Sequence, residues 1–242
     1  RRPTPPAVPR LGRESFSSLA PSRRLMRVSL VGTVHAESGL VSVGELLAIL
    51  ERSQPDVIFA EIPVSHVDRY KDGSHGTLES MTVACYLASH QVDVTPVDLA
   101  KPQQKFFDDA KDMFGIVERT SPDYCRLVDR HSVETREGGF PYLNSDRCIQ
   151  TWEDINRELL ATIEWTGDRR LRELYDLWSH TNERRDREMM RNIALYSART
   201  AVARGVFLVG AAHRKSIIDK ASAVSGTGLP PIEWDLGGLG DK

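Results

Sequence analysis

The sequence has no long apolar segment, no paired cysteine motif and no strong net charge. Its apolar runs are all shorter than the roughly 20 residues that a membrane-spanning helix requires, and no signal-peptide core is visible. Its three cysteines, Cys85, Cys125 and Cys148, form no CxxC pair, which favours reduced thiols over a disulfide scaffold. A formal net charge of −2 offers no electrostatic basis for binding nucleic acid or anionic membranes. We therefore expect a soluble, cytoplasmic protein without nucleic-acid or membrane partners.

The motifs of several common enzyme classes are also missing. The chain contains no Gly-x-Ser-x-Gly nucleophile elbow, no P-loop and no Gly-x-Gly-x-x-Gly fingerprint. The serine-hydrolase, P-loop and dinucleotide-binding interpretations therefore lack support.

Length and composition predict one folded domain preceded by a flexible segment. The chain has 242 residues, of which 40% are hydrophobic and 27% are charged, and these values are ordinary for a globular protein with a sizeable core. Residues 1–24 are rich in proline, arginine and serine but poor in apolar side chains, so they cannot bury enough surface to fold alone. We expect a flexible leader over residues 1–24 and a single α/β domain over residues 25–242.

One short pattern occurs twice, near the two ends of the predicted domain. An apolar run at 28–31 leads into Gly32-Thr33-Val34-His35, and a second run at 206–209 leads into Gly210-Ala211-Ala212-His213. Each copy predicts a buried strand, a glycine that permits a tight turn, and a histidine just past the carboxyl end of the strand. Ligands bind at this edge of open parallel sheets. The repeat therefore predicts two imidazoles that face one crevice.

Strands and helices alternate through the first hundred residues. Apolar runs at 28–31, 57–60 and 92–97 predict strands, and the segments between them have the apolar spacing of helices. Ser42 and Thr77 precede these helical segments and are typical N-cap residues. The alternation predicts a mainly parallel sheet that is flanked by helices.

A large helical insertion is predicted between the two Gly-x-x-His strands, at about 102–205. Gly115 is expected to end its first helix, residues 138–141 to form a glycine- and proline-containing loop, and Gly205 to follow its last helix as the C′ residue. A final strand is predicted at 231–235.

Carboxylates also follow predicted strands. Glu61 ends the second strand and Asp98 follows the third, so both can approach His35 and His213 at one edge of the sheet. Imidazole is a good general base near pH 7 and a common metal ligand. A carboxylate could complete a His-His-Glu metal site or polarise a water molecule. Equally, a histidine after a strand is often a loop residue, and Glu61 could cap a helix or pair with an arginine.

One helical face carries further candidates. Arg185, Met189 and Asn192 are spaced i, i+4 and i+7 and therefore share a face, although a charged run such as 183–188 is usually a solvated surface. If this face lines the crevice, Arg185 could bind an anionic group or stabilise an oxyanion. His66 and His75 belong to the loop after the second strand, which is expected to lie over the same crevice.

Four segments together resemble one protein superfamily. They are Gly32-Thr33-Val34-His35, the strand 55–61 that ends in Glu61, the Arg-Asp-x-x-Met-x-x-Asn-Ile pattern at 185–193, and Val209-Gly210-Ala211-Ala212-His213. The superfamily includes the TraB and PrgY pheromone-shutdown proteins, GumN, the Tiki peptidases, the haem-binding ChaN proteins and the erythromycin esterases. The chain departs from its pattern at two positions, with Ala212 in place of a usual Gly and Leu99 in place of an Arg that often follows the Asp.

The resemblance implies a mainly parallel sheet with helices on both faces. In Tiki-like members the two Gly-x-x-His motifs and the Glu are tied to a divalent metal, typically manganese or cobalt, and to peptide hydrolysis. In the erythromycin-esterase branch a histidine acts as general base on water without a metal. ChaN-like members bind haem iron instead. Fold alone does not choose among these outcomes.

The leading hypothesis is a hydrolase of peptide or ester bonds with a small-molecule or peptide substrate. His35, His213 and Glu61 would hold a divalent metal (Mn, Co or Zn) or activate water directly, and Arg185 would stabilise negative charge. The expected substrate contacts are His66, Asp98 and Asn192.

The alternative is a non-catalytic binding or signalling module that holds haem, a metabolite or a peptide. A third possibility is that the motifs are structural and the helical insertion binds a protein partner. The sequence gives no oligomeric state.

Overall fold

The computed structural model describes residues 25–223 and 232–237. This part of the chain forms a five-stranded sheet flanked by eight α-helices. The strands are β1 (Met26–Thr33), β2 (Val57–Ala60), β3 (Asp93–Pro96), β4 (Arg204–Gly210) and β5 (Ile232–Asp235). The helices are α1 (Val43–Ser53), α2 (Val67–Lys71), α3 (Leu78–Leu87), α4 (Gln104–Thr120), α5 (Pro122–Leu143), α6 (Asp146–Thr166), α7 (Arg169–Arg199) and α8 (Arg214–Ala223). The predicted leader at 1–24 and the start of the predicted final strand at Pro231 lie outside the described residues.

The sheet has the strand order β3-β2-β4-β1-β5, and every pair of neighbouring strands is parallel. The predicted α/β class and mainly parallel sheet are thus confirmed. The two strands that carry the Gly-x-x-His motifs are direct neighbours, with Thr33 opposite Gly210. On the other side of β4, Ala60 lies opposite Leu208. Both histidine motifs and Glu61 consequently lie at the same edge of the sheet, where the strands have their carboxyl ends.

Helices cover both faces of the sheet, which is why its strands are almost continuously apolar. Successive residues of a strand face opposite sides. Ile58 packs in a core with Leu46 of α1 and Val83 of α3, whereas its neighbour Phe59 packs in a second core with Met189 of α7. The sheet is therefore packed between two apolar cores, one on each of its faces.

The two predicted N-caps are confirmed. The Ser42 hydroxyl accepts a hydrogen bond from the Glu45 backbone at the start of α1. Thr77 begins α3 with a capping box, in which its hydroxyl accepts from the Ser80 backbone and its own N–H donates to the Ser80 hydroxyl. These bonds satisfy backbone groups that the first helical turn leaves unpaired.

The predicted ends of two helices were wrong. Gly115 does not end its helix, because α4 continues to Thr120 with Met113 and Val117 buried on the same side. An interior glycine costs about 1 kcal/mol, and packing can offset this. Residues 138–141 form no open loop but belong to α5, which kinks at Gly139 (φ 59°, ψ −151°).

Gly205 was also wrongly assigned as a helix C′ residue. Helix α7 ends at Arg199, with Thr200 as its cap, and Gly205 lies inside β4. A Cβ atom at Gly205 would come within 2.8 Å of the Phe59 ring. The glycine is therefore explained by close packing between the strands and not by helix termination.

Four helices, α4 to α7, occupy the chain between β3 and β4. They pack around a core of their own that includes Met113, Ile155, Leu159 and Leu171. Of the helices in the described ranges, none is long and apolar enough to cross a membrane.

Candidate active site

A cleft of about 340 Å³ lies at the carboxyl edge of the sheet, where β1, β2 and β4 end. It brings together most of the side chains that the sequence predicted, namely His35, Glu61, His66, His75, Asp98, Arg185 and His213. Asn192 contributes differently, because its side-chain amide donates to the Val97 backbone oxygen at 2.9 Å. Asn192 thereby holds the segment that carries Asp98.

Arg185 joins the ends of two strands. Its Nη2 donates to Oε1 of Glu61 at 2.6 Å and to Oδ2 of Asp98 at 2.8 Å. Its Nε donates to both carboxylate oxygens of Asp98, and its Nη1 donates to the Asn182 amide oxygen. Every nitrogen of the guanidinium group therefore has a partner. Although burial opposes the charge, Asp98 and Glu61 raise the pKa of Arg185.

His213 lies between two buried carboxylates. Its Nδ1 is 2.6 Å from Oδ1 of Asp186, and its Nε2 is 3.3 Å from Oε1 of Glu61. Burial alone would lower the pKa of His213, but Glu61 and Asp186 raise it to about 10. His213 is consequently an imidazolium at neutral pH. Asp186 lies between Arg185 and Arg187 in the charged run 183–188, so its sequence neighbours did not reveal its burial.

Glu61 is held by donors on both oxygens. Besides the Arg185 contact on Oε1, its Oε2 accepts from the Gly210 backbone N–H at 2.7 Å. Burial alone would raise the pKa of Glu61, but His213, Arg185 and Gly210 hold it well below its usual range. The linked side chains, which we call the charge chain, are Asp98, Arg185, Glu61, His213 and Asp186.

His35 is engaged separately, by a residue that the sequence did not reveal. Its Nδ1 is 3.2 Å from Oε1 of Glu79, and the same oxygen accepts from the Thr33 hydroxyl at 2.7 Å. The hydrogen bond that Glu79 accepts from the imidazole raises the pKa of His35 above its ordinary value. The His35 side chain is 70% exposed, whereas that of Glu79 is only 6% exposed. A buried carboxylate thus orients an accessible imidazole.

One sequence signal could have pointed to Glu79. It is the only charged residue of α3, a helix that is otherwise apolar or small (Leu78–Leu87). A lone carboxylate on a buried helical face requires a polar partner. Here the helix start also fixes the histidine, because the Leu78 N–H donates to the His35 backbone oxygen at 2.8 Å.

The backbones of both motif glycines are hydrogen-bonded by side chains of the site, and close packing requires a glycine at the first. Gly32 is bound by Asn144, which accepts from its N–H at 2.7 Å and donates to its carbonyl at 3.1 Å. A Cβ at Gly32 would lie 2.4 Å from Cδ of Arg214. A Cβ at Gly210 would lie 3.4 Å from the Glu61 carboxylate, an ordinary van der Waals distance. Gly210 contributes through its backbone N–H, which donates to Glu61.

The segment between β2 and α3 forms one wall of the cleft. It contributes His66, Tyr70 and His75, with the two histidine rings 5.2 Å apart. Nδ1 of His75 and Oε2 of Glu79 are buried without hydrogen-bond partners. Burial lowers the pKa of His75, which favours the neutral imidazole. This wall therefore offers polar atoms that protein contacts leave unsatisfied.

The predicted metal ligands Glu61 and His213 are bound to other protein groups in this arrangement. Both oxygens of Glu61 accept N–H donors, one of them from the cationic Arg185. His213 is flanked by carboxylates at both ring nitrogens. Across residues 25–223 and 232–237, no group of three or more His, Cys, Asp or Glu side chains is arranged to hold a metal ion.

Comparison with known proteins adds no relative to this picture. No protein-family model, no curated protein and no solved structure matches the chain. The resemblance of the four motifs to the TraB, Tiki, ChaN and erythromycin-esterase superfamily therefore stays a prediction.

Proposed function

We propose that the protein is a hydrolase of ester or peptide bonds, with His35 as the general base that activates water. The observation that carries the proposal is the pair of an exposed His35 and a buried Glu79 in a cleft at the carboxyl edge of the sheet. A carboxylate bound to one imidazole nitrogen fixes the tautomer and leaves the other nitrogen for the reaction. Among the described residues, Nε2 of His35 has no hydrogen-bond partner.

The proposed step is a direct attack of water on a carbonyl carbon. Nε2 of His35 takes a proton from the water, whose oxygen forms the new bond to carbon while the carbonyl electron pair moves onto oxygen. Collapse of the tetrahedral intermediate breaks the bond to the alcohol or amine, which leaves with the proton from His35. Glu79 stabilises the transient imidazolium.

The charge chain has a structural part in this proposal. His213 is protonated at neutral pH and so does not compete with His35 as a base. Arg185 binds Glu61 and Asp98, and it thereby fixes the ends of β2 and β3 against α7. The resulting scaffold keeps the cleft rigid, as a precise active site requires.

Turnover by variants of the purified protein tests the proposal. A panel of p-nitrophenyl esters and fluorogenic peptides is assayed with EDTA and, in parallel, with added Mn²⁺, Co²⁺ or Zn²⁺. We expect turnover in EDTA, and a loss of about 10²- to 10⁴-fold in His35→Ala. His180→Ala is the matched control, since His180 is an exposed histidine of α7 whose Nδ1 contacts only the Asp176 backbone oxygen. Equal turnover in wild type and His35→Ala would refute the proposal.

Two other outcomes would favour the remaining hypotheses. Turnover that requires an added metal would mean that Arg185 releases Glu61 for a cation, which a crystal grown with Mn²⁺ would reveal. A Soret shift on addition of haem, without turnover of any substrate, would favour a binding module. The superfamily that the motifs resemble includes both metal-dependent and haem-binding members. The measurements with added metal and with added haem therefore belong to the same experiment.

A further inference from the structure

Hydrolysis as proposed above requires a hydrogen-bond donor for the carbonyl oxygen, and most donors of the charge chain are already engaged by protein acceptors. All three guanidinium nitrogens of Arg185 have acceptors, and both nitrogens of His213 face carboxylates. The chain contains three carboxylates and two cations, a formal net charge of −1. An oxyanion therefore gains little from approaching it.

Tyr70 is a donor without a partner in the same cleft. Its side chain packs in the core beside α3 and is only 3% exposed, yet it lines the cleft. Within the described part of the chain, its hydroxyl makes no hydrogen bond. Buried tyrosine hydroxyls usually have a partner. The hydroxyl is therefore available to donate to a ligand in the cleft.

The surroundings of Tyr70 keep its proton in place. Burial raises the pKa of Tyr70 well above 10, and the nearby charges of Glu79 and Glu61 raise it further. The phenol is thus neutral over the whole range in which His35 can act as a base, and a neutral phenol donates an O–H bond. Tyr70 lines the same cleft as Glu79 and His35.

We propose that Tyr70 is a catalytic residue, whose hydroxyl donates a hydrogen bond to the carbonyl oxygen of a neutral ester or amide. The bond strengthens as the electron pair moves onto that oxygen, and no proton leaves the phenol. The carboxylates Glu61, Glu79 and Asp98 of the lining are balanced by three cations, Lys101, Arg185 and His213. The cleft thus has no formal net charge with which to attract a charged acyl group, and it suits a neutral substrate. The inference rests on the proposed hydrolase function and specifies its substrate class.

Removal of one hydroxyl group tests the role. Tyr70→Phe keeps the ring and its packing, so the protein is expected to fold with an unchanged melting temperature. We expect kcat to fall by about 10²- to 10³-fold with little change in KM. Tyr86→Phe is the matched control, since Tyr86 is a buried tyrosine of the same core that stacks on His90 away from the cleft.

Binding of a transition-state mimic provides a readout that does not depend on turnover. The probe is trifluoroacetophenone, whose hydrate in water resembles the tetrahedral intermediate, and its affinity is measured by calorimetry. We expect Tyr70→Phe to bind it at least about tenfold more weakly than wild type or Tyr86→Phe. If wild type binds the probe in this Tyr70-dependent way without hydrolysing any substrate, the hydrolase proposal fails and the carbonyl site stands.

The opposite pattern separates the two proposals as well. If His35→Ala abolishes turnover but Tyr70→Phe keeps both the kcat and the probe affinity of wild type, the hydrolase proposal stands and the role of Tyr70 is overturned. Absence of probe binding to the wild-type protein also overturns it.

Discussion

At the scale of single residues, buried charges dominate the cleft. The charge chain places five ionisable side chains in contact, and Glu61 links its two cations. Such groups are costly to remove from water, so each depends on its partners. Loss of one partner leaves the others buried and uncompensated. These residues should therefore be sensitive to substitution whatever the protein does.

Glu61→Gln should unfold more easily than the wild-type protein. It leaves Arg185 and His213 without their shared carboxylate, and breaking a buried ion pair in this way costs about 3–5 kcal/mol. Urea denaturation measures the change in the free energy of unfolding. Glu233→Gln is the control, because its contact with Arg27 is 4.0 Å long and solvent-exposed, and it should stay within about 0.5 kcal/mol of wild type. Similar stabilities for both variants would contradict the network.

The stability contributed by His213 should depend on pH. Its pKa is about 10 in the folded protein against 6.5 ordinarily, so the folded state binds this proton more tightly. Its stabilisation is then fully present below pH 6.5 and is lost as the pH rises through about 10. The melting temperatures of wild type and His213→Gln should differ most below pH 6.5 and converge as the pH rises toward about 10. A gap that is constant or grows with pH would disprove the assignment.

The activity of His35 should depend on Glu79. A general base works when deprotonated, so kcat/KM should rise with pH, and the midpoint should lie above 6.5 because Glu79 raises the pKa of His35. In Glu79→Gln the negative charge is gone, and the midpoint should move to lower pH while the maximum rate falls. Both pH–rate profiles are measured on the same ester. An unchanged midpoint would show that Glu79 does not tune the imidazole.

At the scale of elements, two neighbouring helices contain glycines with different backbone conformations. Gly139 has a φ of 59° at the kink of α5, and a Cβ there would lie 3.1 Å from Cβ of Leu40. Gly115 in α4 has helical geometry, and a Cβ there would meet only the flexible end of Arg119, at 3.4 Å. The kink matters for the site, because the residue that caps the end of α5 is Asn144, which binds Gly32.

Alanine substitutions at these glycines should therefore change stability in opposite directions. Gly139→Ala should destabilise the protein by about 1–3 kcal/mol, since its backbone conformation is strained for other residues. Gly115→Ala should stabilise it by about 0.5–1 kcal/mol, because alanine has the higher helix propensity. Thermal unfolding of both variants against wild type is the measurement. Equal signs would show that the kink or the continuous α4 is incorrectly assigned.

At the scale of the whole molecule, the strand order creates the site. Strands β1 and β4 are separated by most of the chain, yet they are neighbours in the sheet. With β2 on the far side of β4, three strand ends converge. The carboxyl edge of such a sheet is the usual position of ligand sites in α/β folds. The crossover through α4 to α7 then adds Arg185 and Asp186 from the opposite side.

Much of this fold was predictable from local patterns. Apolar runs specified the strands, and Ser42 and Thr77 specified helix starts, because these signals act between residues close in the chain. The helix ends predicted from Gly115 and Gly205 were wrong, since a glycine is compatible with a helix end, a helix interior or a crowded strand. Only the neighbouring atoms, such as the Phe59 ring beside Gly205, distinguish these cases.

The doubled Gly-x-x-His motif illustrates what the sequence determined and what the tertiary structure determined. The sequence by itself determined that two histidines and Glu61 follow buried strands, because alternation and turn chemistry are local. Tertiary structure alone decided that the two histidines differ: His213 lies protonated between Glu61 and Asp186, whereas His35 is accessible and held by Glu79. Protonation states depend on charges and burial contributed by distant segments, and no spacing along the chain encodes those.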